Sequence, residues 1–356
     1  MAAEITLPVR VPNWVITYQG VNITADISQM IRRITHTDRL GGVACRLEVG
    51  LEDRGQLWQG PWYPSLGDQL NLMIGYEGGE LLPCGDFQVD DLVLEGTPDL
   101  FHLRCISAFV TPAMRTANSI GYENQTLTQI AAAIAAKYGL TVVGAPDQIN
   151  VVFERVTQKR ETDLSFLRRL ANEHGYDFTI RGTQLVFYSR AALEASAPVW
   201  TIVRSSELEF RFRNRTRLIY KAAQVAYQSA PAKQLIVQMA AAATPAPTGD
   251  TLKLVRRCEN GQQAALKAQA ALELYNRSFV EAEFVMPGTT LLVAGNAVSV
   301  AGWGAFDGTY LIERAIHRLE RSGTRTATLG RPSAHPAEAL HIPGYTTEIT
   351  ARRVGS

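Results

Sequence analysis

The sequence predicts a mainly β protein with an α+β insertion, in which two similar β-barrel domains flank a small α+β domain. Residues 67–106 alternate polar and apolar side chains between glycine turns, which is typical of antiparallel strands. The same pattern returns at residues 295–329. Between them, after residue 112, the apolar period changes from 2 to 3.6, and it returns to 2 from residue 208. These three observations predict the order barrel, α+β unit, barrel.

The repeat aligns closely in its second half. Residues 85–106 match residues 308–329 without a gap, at an offset of 223 positions. In each copy an aromatic residue, Phe87 or Tyr310, stands two positions after a glycine and precedes a β-branched residue, a charged pair and an apolar pair. The loop before this glycine is five residues shorter in the second copy. The alternative is that two antiparallel strand sets resemble each other by chance.

The length and composition of the chain favour an ordinary multidomain globular protein. A chain of 356 residues predicts two or three domains, and 35 basic against 34 acidic side chains give no bias toward polyanions. No basic-then-apolar leader and no 18-residue apolar run occurs, so we expect neither a signal peptide nor a membrane anchor. The cysteines lack CxxC spacing and nearby histidines, which predicts small buried residues of a reducing compartment: Cys45, Cys84, Cys105 and Cys258.

Local signals predict the domain limits. We expect a first barrel at 1–112, an α+β domain at 113–200, a second barrel at 201–331 and an extended, proline-punctuated tail at 332–356. Residues 126–129 form a capping box that begins one helix, and Thr162 begins a second that ends at Gly175. A hairpin follows at 176–188. A third helix, at 262–277, is expected to connect strands across a barrel end.

No motif predicts a catalytic residue, a metal site or a cofactor. His102 and Cys105 are three apart on a strand and therefore point to opposite faces, whereas His174 suits the carboxyl end of a helix. The remaining candidates are two same-face carboxylate pairs, Asp86 with Asp90 and Glu281 with Glu283. Such a pair can imitate the acids of a glycosidase, but same-face acids on one strand more often form its solvated side. No GxSxG, P-loop or GxGxxG-helix pattern is present.

Four arginines form the sharpest electrostatic feature. They alternate along one strand and so share one face: Arg211, Arg213, Arg215 and Arg217. Four positive charges can contact phosphates, but single-stranded nucleic-acid platforms place aromatic residues on the same face, whereas Phe210 and Phe212 point the other way. The pattern therefore favours a solvated face or an ion-pair surface between subunits over direct DNA contact.

Three segments carry a resemblance to a known family. The helix ETDLSFLRRLANEHGY at 161–176 resembles a motif of the phage late-control D, or baseplate-hub, family, and the VgrG spikes of type VI secretion carry a similar one. Residues 121–140 look like the preceding helix of that family. The run 306–312, followed by Ile316 and His317, is similar to its closing hairpin. The resemblance covers most of residues 10–331.

This resemblance implies a structural, non-enzymatic baseplate hub of a contractile phage tail or of a phage-tail-like particle. In such a hub, three subunits with two tube-type barrels each form a ring that joins a sixfold tail tube to a threefold central spike. The expected partners are two further copies, the tube protein, the spike protein and other baseplate proteins, with DNA only passing through the channel. The expected location is the virion tail baseplate, after synthesis in the host cytoplasm.

Two other functions remain open at this stage. The first alternative is a tail-associated protein that degrades the cell wall or binds glycan. A VgrG-like spike differs by a long fused β-helical needle, and residues 332–356 are too short for one, so we expect any spike to be a separate chain.

Overall fold

The structure is a computed structural model that describes residues 10–107, 114, 116–144, 152–181, 184–215, 219–229, 233–242, 249–277, 279–321 and 344–354. Its first strands are β1 Pro12–Tyr18, β2 Val21–Asn22, β3 Ile31–Arg39, β4 Arg46–Glu52, β5 Gln69–Tyr76, β6 Leu82–Glu95 and β7 Leu100–Ser107. The central strands are β8 Ala117–Thr126, β9 Thr141–Val143, β10 Val152–Thr162, β11 Tyr176–Arg181 and β12 Gln184–Ser189. The last strands are β13 Trp200–Val203, β14 Glu209–Asn214, β15 Ala222–Ser229, β16 Gln234–Ala241, β17 Thr251–Val255, β18 Val280–Pro287, β19 Ala297–Ala301, β20 Gly308–Glu320 and β21 Gly344–Arg353. The helices are α1 Thr24–Ile27, α2 Leu127–Lys137, α3 Asp163–Glu173, α4 Arg190–Glu194 and α5 Gly261–Asn276.

One continuous sheet contains both predicted barrels. Its order across the described residues is β14-β18-β21-β20-β3-β4-β7-β6-β5-β1-β2, with β19 and β13 attached at the start of β20. Strands β1 to β7 enclose one apolar core, and β13, β14 and β18 to β21 enclose another. We call these two halves unit one and unit two. The predicted fold class is therefore confirmed, and the units are joined edge to edge at β3 and β20.

The internal repeat is confirmed by hydrogen-bond register. Leu70 lies opposite Phe87 in unit one, and Val298 lies opposite Tyr310 in unit two. The turn glycines make the same bond, from Gly67 N to Val89 O at 2.8 Å and from Gly295 N to Ile312 O at 2.9 Å. A β-bulge then interrupts both copies at matching positions, after Val89 in β6 and after Ile312 in β20. Chance similarity of strand patterns does not reproduce bulges and registers together.

The third strand of unit two differs from the sequence prediction. Residues 324–329, which the alignment assigned to it, lie outside the described residues. The position beside β20 is occupied by β21, within the segment predicted as a tail, so that prediction is wrong for residues 344–353. Strand β21 pairs with β18 on its other edge and buries alternate side chains, among them Tyr345 and Ile349. Prolines before the strand suggested an extended tail, but alternation over ten residues fits a central strand.

The central helices follow their local signals. Thr126 accepts a hydrogen bond from the amide of Gln129, whose side chain accepts one from the Thr126 amide, so the capping box is confirmed. The Thr162 side chain begins α3 in the same way, and Gly175 follows its end with φ of 77°. Both helices pack on the sheet β11-β12-β9 around a core of their own.

The prediction that residues 222–276 belong to the second barrel is wrong. Strands β16, β15 and β17 form a separate sheet, and α5 covers one face of it. The small buried side chains Ala264 and Ala268 let the helix lie close to the sheet. Lys267 on α5 forms a 2.8 Å ion pair with Glu173 on α3, so this layer packs beside the central domain rather than across a barrel end.

Two further predictions concerned a membrane anchor and the state of the cysteines. No helix among the described residues has the length and apolar character needed to cross a membrane. The four cysteines are free, and burial raises the pKa of each thiol, which for Cys45 and Cys105 reaches about 12.

Replacing Ile349 by alanine tests whether β21 is a core strand. The side chain is fully buried in the core of unit two, opposite Phe284 and Ala315. We expect the free energy of unfolding to fall by about 2–5 kcal/mol, through lost apolar burial and a residual cavity. Chemical denaturation measures this. The control Thr346→Ala lies half-buried on the other face of β21 and should change stability by less than about 1 kcal/mol. Equal, small effects would contradict a core position for this strand.

Candidate assembly interface

The arginine stripe lies at one end of the large sheet. Arg211 and Arg213 belong to β14, Arg215 follows it directly, and Arg217 lies outside the described residues. Strand β14 pairs with β18 along one edge and is the terminal strand of the sheet in the described chain. The stripe therefore stands at a sheet edge.

The glutamates proposed as a carboxylate pair face this stripe. Glu283 lies opposite Arg211 with 3.9 Å between their charged atoms, and Glu281 lies opposite Arg213. Arg215 donates a hydrogen bond of 2.5 Å to Glu281. The arginine stripe and the glutamate pair, which the sequence analysis treated as separate candidate sites, thus form one ladder across two strands. Three arginines face two glutamates in it. Such exposed pairs contribute only about 0–1 kcal/mol each, so the ladder leaves a surplus of positive charge without much stabilisation.

The other face of β14 is aromatic, as predicted. Phe212 packs in unit two against Phe306 and Phe284, with ring centroids 4.8 and 5.5 Å away. Phe210 touches Trp303 at 5.3 Å but remains 41% exposed. An exposed aromatic ring next to an open strand edge marks a surface suited to contact with another apolar group.

The second carboxylate pair lies on β6 in unit one. The side chain of Asp86 accepts a 2.8 Å hydrogen bond from Asn71 on β5. Asp90 is the residue inserted at the β-bulge. Both side chains are exposed on the strand surface, which agrees with the solvated face that the sequence favoured over an acid couple.

The histidines hold structural positions. His174 donates from Nδ1 to the carbonyl of Leu170 at 2.8 Å, as expected for the end of α3. His102 lies 3.6 Å from Glu48 and 3.8 Å from Glu95, whereas Cys105 faces the core. Within the described ranges, no three His, Cys, Asp or Glu side chains group as a metal site. His335 and His341 lie outside those ranges.

Part of strand β6 also has an open edge. It pairs with β7 from Phe87 to Glu95 on one side. On the other side it pairs with β5 only up to Gln88. Beyond the bulge, the edge of residues 91–95 that faces away from β7 has no strand beside it among the described residues. Exposed strand edges are templates for pairing with another chain.

The matching edge of β20 is covered by β3, and we call this pairing the seam. Seven consecutive residue pairs join the strands, with His36 opposite His317 at its middle. The two imidazoles stack with centroids 6.0 Å apart, and Nδ1 of His317 is 2.8 Å from the hydroxyl of Tyr345. The carboxylate of Asp38 also accepts a 2.9 Å bond from the amide of Ala294. The seam is therefore a buried, hydrogen-bonded joint between the units.

Comparison with known proteins points to phage tails. The model of a family described as phage tail baseplate hub (GPD) matches residues 101–323. A probable baseplate hub protein of Escherichia phage 186 is 27% identical over 213 residues, which are 59% of this chain and 54% of that protein. The chain thus spans about half the length of this relative.

Solved structures extend the likeness over nearly the whole chain. The 43 kDa tail protein of prophage MuSo2 from Shewanella oneidensis has a TM-score of 0.69 at 17% identity, covering 96% of this chain and 98% of that one. An Escherichia coli component of the type VI secretion system has a TM-score of 0.58 at 12% identity, covering 96% and 77%. At these identities the likeness shows the fold alone.

The buried seam predicts a loss of stability in acid. Burial lowers the pKa of His317 to about 4, while the unfolded value is near 6.5. Neutral His317 therefore contributes to the free energy of unfolding above pH 6.5. This contribution, up to about 3 kcal/mol, is lost as the pH falls toward 4. Urea midpoints measured from pH 7 to 4 report this loss. We expect His317→Gln, which cannot be protonated, to flatten the decline even if it lowers stability at pH 7. An unchanged slope would contradict the assignment.

Proposed function

Because the chain belongs to the family of phage tail baseplate hub proteins, we propose that it is a structural, non-enzymatic hub that assembles as a homotrimer. Three copies of two similar units place six units around one channel. Such a ring presents nearly sixfold symmetry to a tail tube on one side and threefold symmetry to a central spike on the other. Its role is to match these symmetries.

The observation that carries the proposal is the repeated register of units one and two. A ring with six similar positions requires two copies of one backbone in each of three chains. The matched bulges in β6 and β20, and the matched glycine turns at Gly67 and Gly295, supply two such copies. The side chains differ between the copies, so a partner that contacts the differing side chains meets threefold rather than sixfold symmetry.

The proposed partners are the tail tube protein, the spike protein and other baseplate proteins, in the baseplate of a phage tail or a phage-tail-like particle, after synthesis in the host cytoplasm. DNA would pass through the channel without specific readout. Support for a passive role comes from the charged side chains: the acids on β18 are neutralised by arginines, and those on β6 are exposed to solvent.

The mass of the purified full-length chain tests the proposal. We expect light scattering after size exclusion to give the mass of three chains, and end-on electron micrographs to show six lobes around a channel. The same measurement in denaturant gives the single-chain reference. A monomer at every accessible concentration, or a ring whose lobes are not six, would overturn the proposal.

A further inference from the structure

The open edges of β14 and of β6 are equivalent to the edges of β3 and β20 that meet at the seam. Following hydrogen-bonded neighbours across each unit gives two matching rows. The row of unit one is His36, Leu47, Cys105 and Val89, and the row of unit two is Phe212, Ala282, Ala351 and Ile312. Strand β14 therefore occupies in unit two the place that β3 occupies in unit one.

The same argument relates β6 to β20. After the matched bulge, residues 91–95 of β6 correspond to residues 314–318 of β20. In unit two this stretch is covered by β3. In unit one its equivalent is open across the described residues, and the equivalent of β3, namely β14, is open as well. In each chain the edges of β3 and β20 pair with each other, whereas the equivalent edges of β14 and β6 are both open among the described residues.

Side-chain burial differs in the same way between the covered edges at the seam and the open edges of β14 and β6. His317 at the seam is fully buried, whereas its equivalent on β6, Leu94, is 48% exposed. Ile34 at the seam is fully buried, whereas its equivalent on β14, Phe210, is 41% exposed. Exposed apolar side chains occur where an equivalent neighbour would cover them.

We propose that β14 of one chain pairs antiparallel with the 91–95 half of β6 in a second copy, and so repeats the seam between subunits. This inference rests on the proposed ring, because it identifies the surface that closes it. The contact is head-to-tail, since β14 and β6 are different edges, and such contacts close into a ring when the rotation permits. If the seam and the new contact each rotate one unit by one sixth of a turn, three chains close a ring of six units.

The register of the seam gives complementary charges at the new contact. Transferring it places Arg211 opposite Glu95 and Arg215 opposite Asp91. Arg213 lies between these two acids, opposite Val93. The surplus positive charge of the arginine stripe then meets the carboxylates of a neighbour, where cross-strand ion pairs are favourable.

The same register also matches the apolar face. Leu94 lies opposite Phe212, so the exposed leucine and the aromatic group of β14 cover each other. On β20 the positions equivalent to Asp91 and Glu95 are Arg314 and Arg318, so only the edge of β6 offers acids to the arginines of β14. The edge of β20 is also already covered by β3 of the same chain.

Engineered disulfides test the register. The double variants Glu95→Cys with Arg211→Cys, and Asp91→Cys with Arg215→Cys, place thiols directly opposite each other, where Cα atoms are about 4.5–5.5 Å apart. Exchanging partners, Glu95→Cys with Arg215→Cys and Asp91→Cys with Arg211→Cys, shifts them by four residues, or about 13 Å. We expect mild oxidation of the full chain to give covalent dimers and trimers for the first two variants and at least tenfold less for the exchanged ones.

A single substitution tests the apolar contact without disturbing the core. Leu94→Arg adds charge to a side chain that is half exposed in the isolated chain, so the monomer should fold normally. We expect it to raise the midpoint concentration for assembly about tenfold or more. The matched control is Leu235→Arg on β16, at a residue 63% exposed in the separate sheet β16-β15-β17, which carries neither edge, and it should leave assembly unchanged.

The outcomes separate the inference from the function on which it rests. Failure of the unmodified chain to form any trimer overturns the ring and the contact together. A normal trimer in which register-matched and exchanged cysteine pairs cross-link equally, or in which Leu94→Arg assembles like the control, overturns the contact and leaves the hub proposal standing. Selective cross-linking with weakened assembly of Leu94→Arg supports both.

Discussion

Main-chain pairing between β3 and β20 is the interaction on which this architecture depends. A strand edge carries rows of N–H and C=O groups that require partners when they are removed from water. In this chain the edge of one unit satisfies the edge of the other, and buried His36 and His317 lie at the centre of the joint. Because the bonds are directional, they fix the orientation of the units as well as their contact.

Backbone and side chains have diverged to different extents between the units. Gly85 and Gly308 both adopt positive φ, at 102° and 145°, and each stands four residues before the residue at which the bulge begins, Val89 or Ile312. These features are set by backbone sterics and hydrogen bonds, which a change of side chain on the solvent face does not alter. On the solvent face the copies differ in charge, with Asp91 in one and Arg314 in the other. One backbone thus presents two electrostatic surfaces.

The charged candidates show how a cross-strand neighbour changes the meaning of a residue. Arg211 suggested phosphate contact and Glu283 suggested acid catalysis when each was considered along its own strand. They face each other in the structure although 72 positions separate them, 283 less 211. A carboxylate that balances a guanidinium at a sheet edge is suited to recognition of a charged partner.

The sequence by itself determined the elements whose hydrogen bonds are local. The capping box of Thr126 and Gln129 and the start of α3 at Thr162 depend on groups three residues apart. The two-strand repeat with its glycine turns joins strands that follow each other in the chain. The tertiary structure alone decided which strand fills each place: β21 beside β20, a separate sheet for β15 to β17, and β18 opposite the arginines. Alternation reveals that a segment is a strand and which side chains share a face. It does not reveal the neighbour, because strand pairing is chosen by burial and long-range hydrogen bonds among segments distant in the chain.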